Sequence, residues 1–560
     1  MAQSQTPAEC VRAQFSGLPV EVVDTSALVC VRLAKFVDPE AFSRYVEIAK
    51  KIGMRFSGRQ WCAPTERIEQ LCRNVVGRYY RSYYYFPPDR IDAGALRSVA
   101  CYTLERWRRD PETGRAAREV VDVCLYSCNE RGECRVPRGI AVDIARAGNW
   151  NLPEFAPQLK LPEGDYFKGL RDYQVEVFRN LAARLKLTGA AVIQMATGAG
   201  KSHLAGYVAK WLEDNGYAVF ATAMQKDLAL QLKDFARRAG ARNVVAVTTQ
   251  YLWRHLGAES GNGDNGEDED REVLAYADEY SDVEGDELMR LFRQKNVAVI
   301  MDEAHHVPAR TVRKVMTEAG DGWALRIGLT ATPWRNDNRD LEIYAHAGSV
   351  IEPRISSSYL IERGYAVPVE IRVVKAPRCP EVVECHELRD ARNAAAVYAC
   401  ARRALAECRA RNEFIAELAA RADKPVLVIT PLVKHAELLG ALMREKGLKA
   451  EVVTGVVKAE ERKQIYDALR RGAIDAIVAT TLADEGLDLP PLKALIIAMA
   501  GKSKTRTLQR VGRLVRPWHG KTRGVVYELR DWDDYPYILE HLEERIKLYK
   551  TEPHWRVREI

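Results

Sequence analysis

The stretch Ala191-Val192-Ile193-Gln194-Met195 runs directly into Ala196-Thr197-Gly198-Ala199-Gly200-Lys201-Ser202, and a helical pattern starts near His203. A short apolar run, a glycine-bearing turn and a helix make up half of a βαβ unit, the building block of a parallel sheet covered by helices. The same succession is what a phosphate loop needs. Gly198 and Gly200 let the backbone approach phosphates closely, and the N–H groups at the helix N-terminus face them. Lys201 is placed to reach the β- and γ-phosphates of ATP and the Ser202 hydroxyl to ligate Mg2+, with Thr197 in the same turn.

Working outward, apolar runs bounded by turn residues recur at 191–195, 218–223, 243–248, 297–301 and 326–330. A second series lies at 369–374, 426–430, 451–454, 475–480, 494–498 and 524–529. Helical patterns separate them, so the fold class is α/β, with two tandem parallel-sheet lobes dividing near 350–368. The expected domains are a small N-terminal α/β module at 1–86, a connecting region at 87–165, a first lobe at 166–355 and a second at 356–560. An acidic segment at 258–287 reads as a solvated loop. An Ala/Arg/Glu-rich stretch at about 387–422, free of Pro and Gly, predicts a helical insertion in the second lobe.

The first lobe also supplies acids. Asp302-Glu303-Ala304-His305 closes the run 297–301, which fits Asp302 for holding Mg2+ and Glu303 for polarising an attacking water. His305 then connects this turn to the next segment. Thr330-Ala331-Thr332 follows another strand and offers hydroxyls to the acidic turn. Leu170-Arg171-Asp172-Tyr173-Gln174 precedes the lobe's first helix, and the Gln174 amide, both donor and acceptor, can read an adenine edge.

Nothing in the first lobe brings a guanidinium to the γ-phosphate. Gln509-Arg510-Val511-Gly512-Arg513-Leu514-Val515-Arg516 does. Gln509, Arg513 and Arg516 fall on one helical face, which reads as a basic helix reaching across a cleft to stabilise transferring charge. Thr480-Thr481-Leu482-Ala483-Asp484-Glu485-Gly486-Leu487-Asp488 follows a strand. Gly486 and Asp488 are expected to line the nucleotide cleft, and Thr480 and Thr481 to approach a nucleic-acid backbone.

At 560 residues the chain exceeds a single core. No apolar run is long enough to span a bilayer and the N-terminus lacks signal-peptide character, so a cytoplasmic protein without a membrane partner is expected. The net charge of +7 does not by itself imply nucleic acid. Twelve cysteines in such a chain argue against a disulfide scaffold, unless the source is a hyperthermophile, where intracellular disulfides occur. Cys101, Cys124, Cys128 and Cys134 cluster without the CxxC spacing of common zinc sites, leaving metal binding, burial and disulfide pairing open.

Taken in order, these motifs resemble those of superfamily-two helicases and translocases, and within them the XPB family of DNA repair helicases. The narrower resemblance rests on DEAHHVPARTVRKVM from Asp302, LTATPWRND from Leu329, SYLIERGYAVPVEIRVV from Ser358 and QRVGRLVRPWHGK from Gln509. It implies RecA-like lobes, a thumb-like role for the helical insertion, and strand separation near Arg335 and Asp337. Asn336 departs from the family's Arg-Glu-Asp at that point. The segments 33–40 and 54–61 are similar to the damage-recognition module of archaeal XPB proteins and to the HARP module of annealing helicases, which makes Arg55 and Trp61 candidate DNA contacts.

Further expected contacts are Thr248, Thr249, Thr454 and Gly455, holding phosphates rather than reading bases. The resemblance implies an ATP-dependent DNA helicase or duplex translocase in repair or transcription-linked remodelling, acting on duplex or forked DNA largely without regard to sequence. A nuclease partner is a further implication. An RNA helicase, a motor subunit of a restriction or phage remodelling system, and an ATP-switched DNA-binding scaffold recruiting a nuclease are the alternatives.

Overall fold

The computed structural model describes the chain from residue 18 onward, apart from 26, 35–36, 38, 53, 73, 110–115, 131–132, 257–278, 294–295, 318–322, 334–337, 388–393, 481–488, 502–503 and 533–534, together with 8, 11, 12 and 15. Two compact units divide it: Met1–Cys101 with Cys124–Pro157, and Tyr102–Val123 with Gln158–Ile560.

The first unit holds two four-stranded sheets. In one, Leu28–Leu33 lies between Val20–Asp24 and Gln60–Pro64, all antiparallel, with Arg55–Ser57 at the far edge. Alternation along 28–33 turns Val29 and Val31 onto Tyr45 and Ala49 of the helix Pro39–Lys51 and Ile68 of the helix Thr65–Cys72. In the other, Arg78–Tyr80, Tyr83–Phe86, Cys134–Pro137 and Ser127–Cys128 pair in that order. A domain boundary at 86 therefore cuts through a sheet, because Tyr83–Phe86 finds its partner strand some way downstream.

The expectation against disulfides is also corrected. Cys30–Cys62, Cys101–Cys124, Cys128–Cys134, Cys379–Cys408 and Cys385–Cys400 are all bonded. Strand register decides this: Cys30 lies opposite Cys62, and Cys128 opposite Cys134. With these thiols paired, the cluster at 101–134 has none left for a metal.

In the second unit, α1 (Asp172–Thr188) leads into β1 (Ala190–Gln194), α2 (Lys201–Asp214), β2 (Ala218–Ala223), β3 (Val245–Thr248), β4 (Val297–Met301) and β5 (Leu325–Thr330). These strands form a parallel sheet in the order β1-β5-β4-β2-β3. β4 and β5 are buried along their whole length, which is why they read as unbroken apolar runs.

The second lobe comprises β6 (Val369–Lys375), α3 (Glu381–Glu387), α4 (Ala394–Glu407), α5 (Arg409–Arg421), β7 (Val426–Ile429), β8 (Ala450–Val453), β9 (Ala476–Ala479), β10 (Ala494–Ile497), α6 (Lys504–Leu514), β11 (Gly524–Arg530) and β12 (Trp555–Glu559). Its seven strands are parallel, in the order β8-β9-β7-β10-β11-β6-β12. Alternate residues feed opposite cores: Leu427, Ile477 and Leu495 on one face, Val428, Val478 and Ile496 on the other. The chain is thus α/β with two tandem RecA-like lobes.

Three differences from the sequence reading have clear causes. β12 is an edge strand whose Arg556 and Arg558 alternate with apolar residues, so it lacks a buried strand's signature. The helical insertion is not one piece: α5 buries Ile415, Ala416 and Ala419 on the sheet and belongs to the lobe, whereas α3 and α4 are tied down by Cys379–Cys408 and Cys385–Cys400. The acidic loop ends earlier than expected. The Thr248 N–H donates to the Tyr280 carbonyl at 2.8 Å, and a helix runs over Gly285–Phe292.

Candidate active site at the phosphate loop

The loop after β1 is held from three sides. Gly198 and Gly200 take φ of +85° and +79°, a region that side chains at Cβ disfavour. The Ala196 N–H donates to the Ile355 carbonyl at 2.7 Å, and the Tyr173 hydroxyl to the Ala199 carbonyl at 2.9 Å. Ile355 follows the first lobe's last helix, so the loop is braced by the segment leading to the second lobe.

Gln174, expected to read adenine, is turned onto the loop instead. Its Oε1 accepts from the Arg171 N–H at 2.9 Å, and its Nε2 donates to the Ala199 and Gly200 carbonyls, each at 3.2 Å. A Cβ on Gly200 would sit 2.6 Å from that nitrogen. The side chain is buried, so its present work is to shape the cradle.

α2 begins at Lys201, two residues earlier than expected, which aims its free N–H groups into the loop. The Lys201 ammonium donates to the Met195 carbonyl at 3.0 Å. Burial lowers its pKa, Glu303 and Asp302 oppose that, and Arg516 adds to it. Ser202 lies next to it in the first turn of α2.

β4 delivers Asp302 and Glu303 at its carboxyl end, across β5 from the loop. The Glu303 N–H donates to Asp302 Oδ1 at 2.9 Å. Glu303 itself has φ and ψ of 50°, a left-handed conformation that costs a non-glycine residue on the order of 1–3 kcal/mol. Its carboxylate lies 3.3 Å from His305 Nδ1. Burial, then the Glu303 charge, raises the Asp302 pKa. Burial would raise Glu303 too, but His305 and Lys201 outweigh it and hold that carboxylate low. The two acids are thus driven apart in proton affinity, as separate duties require.

The second lobe meets this loop directly. A Cβ on Gly512 would lie 2.7 Å from Thr197 Cβ, and one on Gly198 would lie 3.1 Å from Arg516 Cγ. Burial lowers the Arg516 pKa to about 10. Arg513 is buried in the last turn of α6. The single helical face expected for Gln509, Arg513 and Arg516 needs correction: α6 stops at Leu514, so Arg516 stands beyond the helix end. Sequence reasoning passed over Gly512, Tyr173 and Ile355. Of these only Gly512 left a trace, since a glycine inside a helix costs stability unless something must approach closely.

The remaining expected residues divide by burial. Thr248 and Thr249 are turned inward and corrected as side-chain phosphate contacts. The Thr248 hydroxyl donates to the Tyr280 carbonyl at 3.2 Å and the Thr249 hydroxyl to the Ala223 carbonyl at 3.3 Å. Thr330 and Thr332 are buried beside each other, with the Thr332 N–H donating to Thr330 Oγ1 at 3.1 Å. Thr454, Gly455 and Thr480 stand at the carboxyl ends of β8 and β9, where ligands gather on parallel sheets. In the first unit Arg55 is exposed and Trp61 half-buried, its ring 5.5 Å from Phe56. Arg335, Asp337, Thr481, Gly486 and Asp488 lie outside the described residues, as does the Gln509 side chain.

Residues 167–335 match the family described as Type III restriction enzyme, res subunit, and residues 410–517 the Helicase conserved C-terminal domain. These matches cover both halves of the cleft in the order the sheets require. The chain thus carries two domains that are together those of a helicase.

The helicase is 27% identical over 477 residues to a protein named helicase 22 of Sulfolobus islandicus filamentous virus, covering 81% of this chain and 80% of the relative. It is 30% identical over 221 residues to a DNA 3'-5' helicase Rad25 of Halobacterium salinarum, covering 39% and 34%. To a DNA 3'-5' helicase XPB of Kineococcus radiotolerans it is 29% identical over 259 residues, covering 44% and 43%. The helicase thus spans less than half the length of these Rad25 and XPB relatives. Its matched domains are those of a nucleic-acid-dependent ATPase, and they imply ATP as the nucleotide.

The residues at the loop fit that nucleotide. Two desolvated cations, Lys201 and Arg516, and the N-terminus of α2 converge on a glycine cradle, which favours a bound polyanion. Ser202 and Asp302 are the oxygen donors suited to a divalent ion beside it. Among the described residues no group of three or more His, Cys, Asp or Glu side chains is gathered for a metal.

Proposed function

We propose that this helicase uses ATP and Mg2+ to move along duplex or forked DNA, as an XPB-type motor in repair or transcription-linked remodelling. The observation that carries the reading is the meeting of Arg516 and Gly512 with Gly198 and Thr197, two lobes on one phosphate loop. Lys201 and the α2 amides bind the phosphates. Ser202 and Asp302 hold the ion, and Glu303, kept ionised by His305, orients and polarises water. Arg513 and Arg516 stabilise charge that develops on the γ-phosphate, while Gln509, Gly486 and Asp488 complete the cleft.

DNA then crosses the carboxyl edges of both sheets at Thr454, Gly455, Thr480 and Thr481 and at the backbone of 223–225 and 248–250, with Arg335 and Asp337 at the point of strand separation and Arg55 and Trp61 assisting from the N-terminal module. Thr330 and Thr332 link the acidic turn to these contacts. The motor works in the cytoplasm, with a nuclease as partner. A second reading, a motor for a phage-type or restriction remodelling system, is favoured by one fact: the viral relative covers 81% of this chain, against 39–62% for the Rad25 and XPB relatives.

The deciding measurement is ATP turnover by the purified chain with duplex DNA, single-stranded DNA and RNA. Stimulation by DNA that vanishes in Lys201→Ala supports the motor. A rate indifferent to nucleic acid, or raised by RNA alone, ends it. If Glu303→Gln binds ATP, cannot hydrolyse it and still supports function in the cell, the chain is a nucleotide-switched scaffold.

A further inference from the structure

The second sheet of the N-terminal unit has two faces of different chemistry. Along Tyr83–Phe86 and Cys134–Pro137, Tyr84, Phe86, Cys134 and Val136 are buried. Tyr84 accepts a hydrogen bond from Trp150 Nε1 at 2.8 Å and donates to the Val76 carbonyl at 2.7 Å. Phe86 packs 5.9 Å from the Trp150 ring, and Tyr79 lies 5.4 Å from Phe155. This face is an ordinary core, and it accounts for half of the aromatics in the run 78–86.

The opposite face is formed by the alternate residues and points to solvent. Tyr80 is 53% exposed and Tyr83 37%, each a large ring with no apolar burial to explain it. Strand register places Tyr80 opposite Tyr83 and Arg78 and Arg135 each opposite Tyr85, so the rings and guanidiniums form one contiguous patch. Arg135 sits 4.7 Å over the Tyr83 ring, Arg78 4.8 Å over Tyr85, and Arg81 5.3 Å from Tyr80. Glu133 pairs with Arg78 at 3.0 Å, and Ser127 accepts from Arg135 Nε at 2.9 Å. Among the described residues of these strands and their turn, Arg78, Arg81 and Arg135 outnumber Glu133, which makes the face positive.

We propose that this Tyr/Arg face binds single-stranded DNA, with bases stacked on Tyr80 and Tyr83 and phosphates held by Arg135. An exposed ring offers a π-face that any base can use, and a guanidinium plane lying on a ring extends the stack while leaving its outer N–H groups for phosphate. The positive charge selects a polyanion over an apolar peptide. This site is distinct from the Arg55/Trp61 candidates, which lie on the other sheet of the same unit.

The test uses the full chain without nucleotide and a fluorescent oligothymidylate carrying 5-iododeoxyuridine. Ultraviolet cross-links should map to Tyr80 or Tyr83. The double variant Tyr80→Ala/Tyr83→Ala should weaken binding roughly tenfold or more, while Tyr80→Phe/Tyr83→Phe, which keeps both rings, should bind as the parent does. Arg135→Ala should weaken binding and lower its salt dependence. ATP turnover without DNA should be unchanged in all of these, which separates failure here from failure of the motor reading. Cross-links confined to 166–560, equal binding by the alanine variant, or preference for an RNA oligomer would overturn the proposal. Should the alanine pair unfold, loss of the cross-link in Arg135→Ala with unchanged thermal unfolding still supports it, and an undiminished cross-link refutes it.

Discussion

Two buried charged regions of the second unit are built in opposite ways. In the second lobe, Arg545 binds Glu528 through Nε and Nη2 at 2.9 and 2.8 Å, and Arg411 grips Asp531 at 2.8 and 3.2 Å. Burial alone would lower the Arg545 pKa, but the charge and hydrogen bonds of Glu528, with Tyr549 and Tyr398, together outweigh it and raise it. At the phosphate loop, by contrast, burial wins and lowers both Lys201 and Arg516, and the acid beside them sits on a strained backbone. A buried cation whose carboxylate partner is part of the fold stabilises the lobe. A buried cation held against its own solvation preference is an investment in a ligand.

That contrast breaks most visibly at the loop. Lys201→Ala and Arg516→Ala should each lower DNA-stimulated ATP turnover by roughly 10³–10⁵, an effect of the size seen when an inserted arginine is removed. Thermal unfolding of both variants should be close to that of the parent protein. An Arg516→Ala protein with near-normal turnover would place that residue with the structural ions instead.

The converse holds for Glu528→Ala. Removing one partner leaves Arg545 and the Tyr549 hydroxyl buried without their acceptor, so unfolding in urea should show a loss of about 3–5 kcal/mol. A loss below about 1 kcal/mol would mean that the pair is not the clamp its geometry describes.

A smaller effect tests whether the structural network is held neutral where it must be. His435 lies between Thr430 Oγ1 at 2.7 Å and Asn412 Oδ1 at 2.8 Å, and burial, then the Arg411 charge, lowers its pKa from 6.5 to about 3. The unfolded chain takes up this proton near pH 6.5, whereas the folded chain does so only near pH 3. Stability is therefore complete above about pH 6.5 and declines as pH falls towards 3, by up to about 1.4 kcal/mol per pH unit. His346, lowered to about 3 chiefly by burial, adds a like term from the first lobe. Urea unfolding at a series of pH values below 7 reads the slope, and a flat profile would deny both.

The smallest expected effect lies at the surface. Arg363 meets Asp172 at 3.0 Å with both side chains about half exposed (54% each). Arg363→Ala should change unfolding by no more than about 1 kcal/mol, because water and salt screen such a pair. A larger loss would make this contact a clamp on α1.

Much of the fold was legible because buried parallel strands write themselves as apolar runs: 218–223 and 297–301 coincide with β2 and β4. The half-exposed β12 wrote no such run. The Thr248 and Thr249 side chains were misjudged because a strand-end threonine looks the same whether its hydroxyl faces solvent or a backbone carbonyl. Gln174 shows the same limit, since a composition of donors and acceptors does not say which of them the fold has already used.

The amino-acid sequence by itself determined the lobes, the phosphate loop and the order of its chemical parts, because periodicity and glycine placement act over a few residues. Only the tertiary structure decided which cysteines pair, that Gly512 and Arg516 close onto Gly198 and Thr197, and that the tyrosines of 78–86 divide between a core and a solvent face. Those are contacts between residues far apart in the chain. Their energies depend on register, burial and distance, and none of the three exists until the sheets have formed.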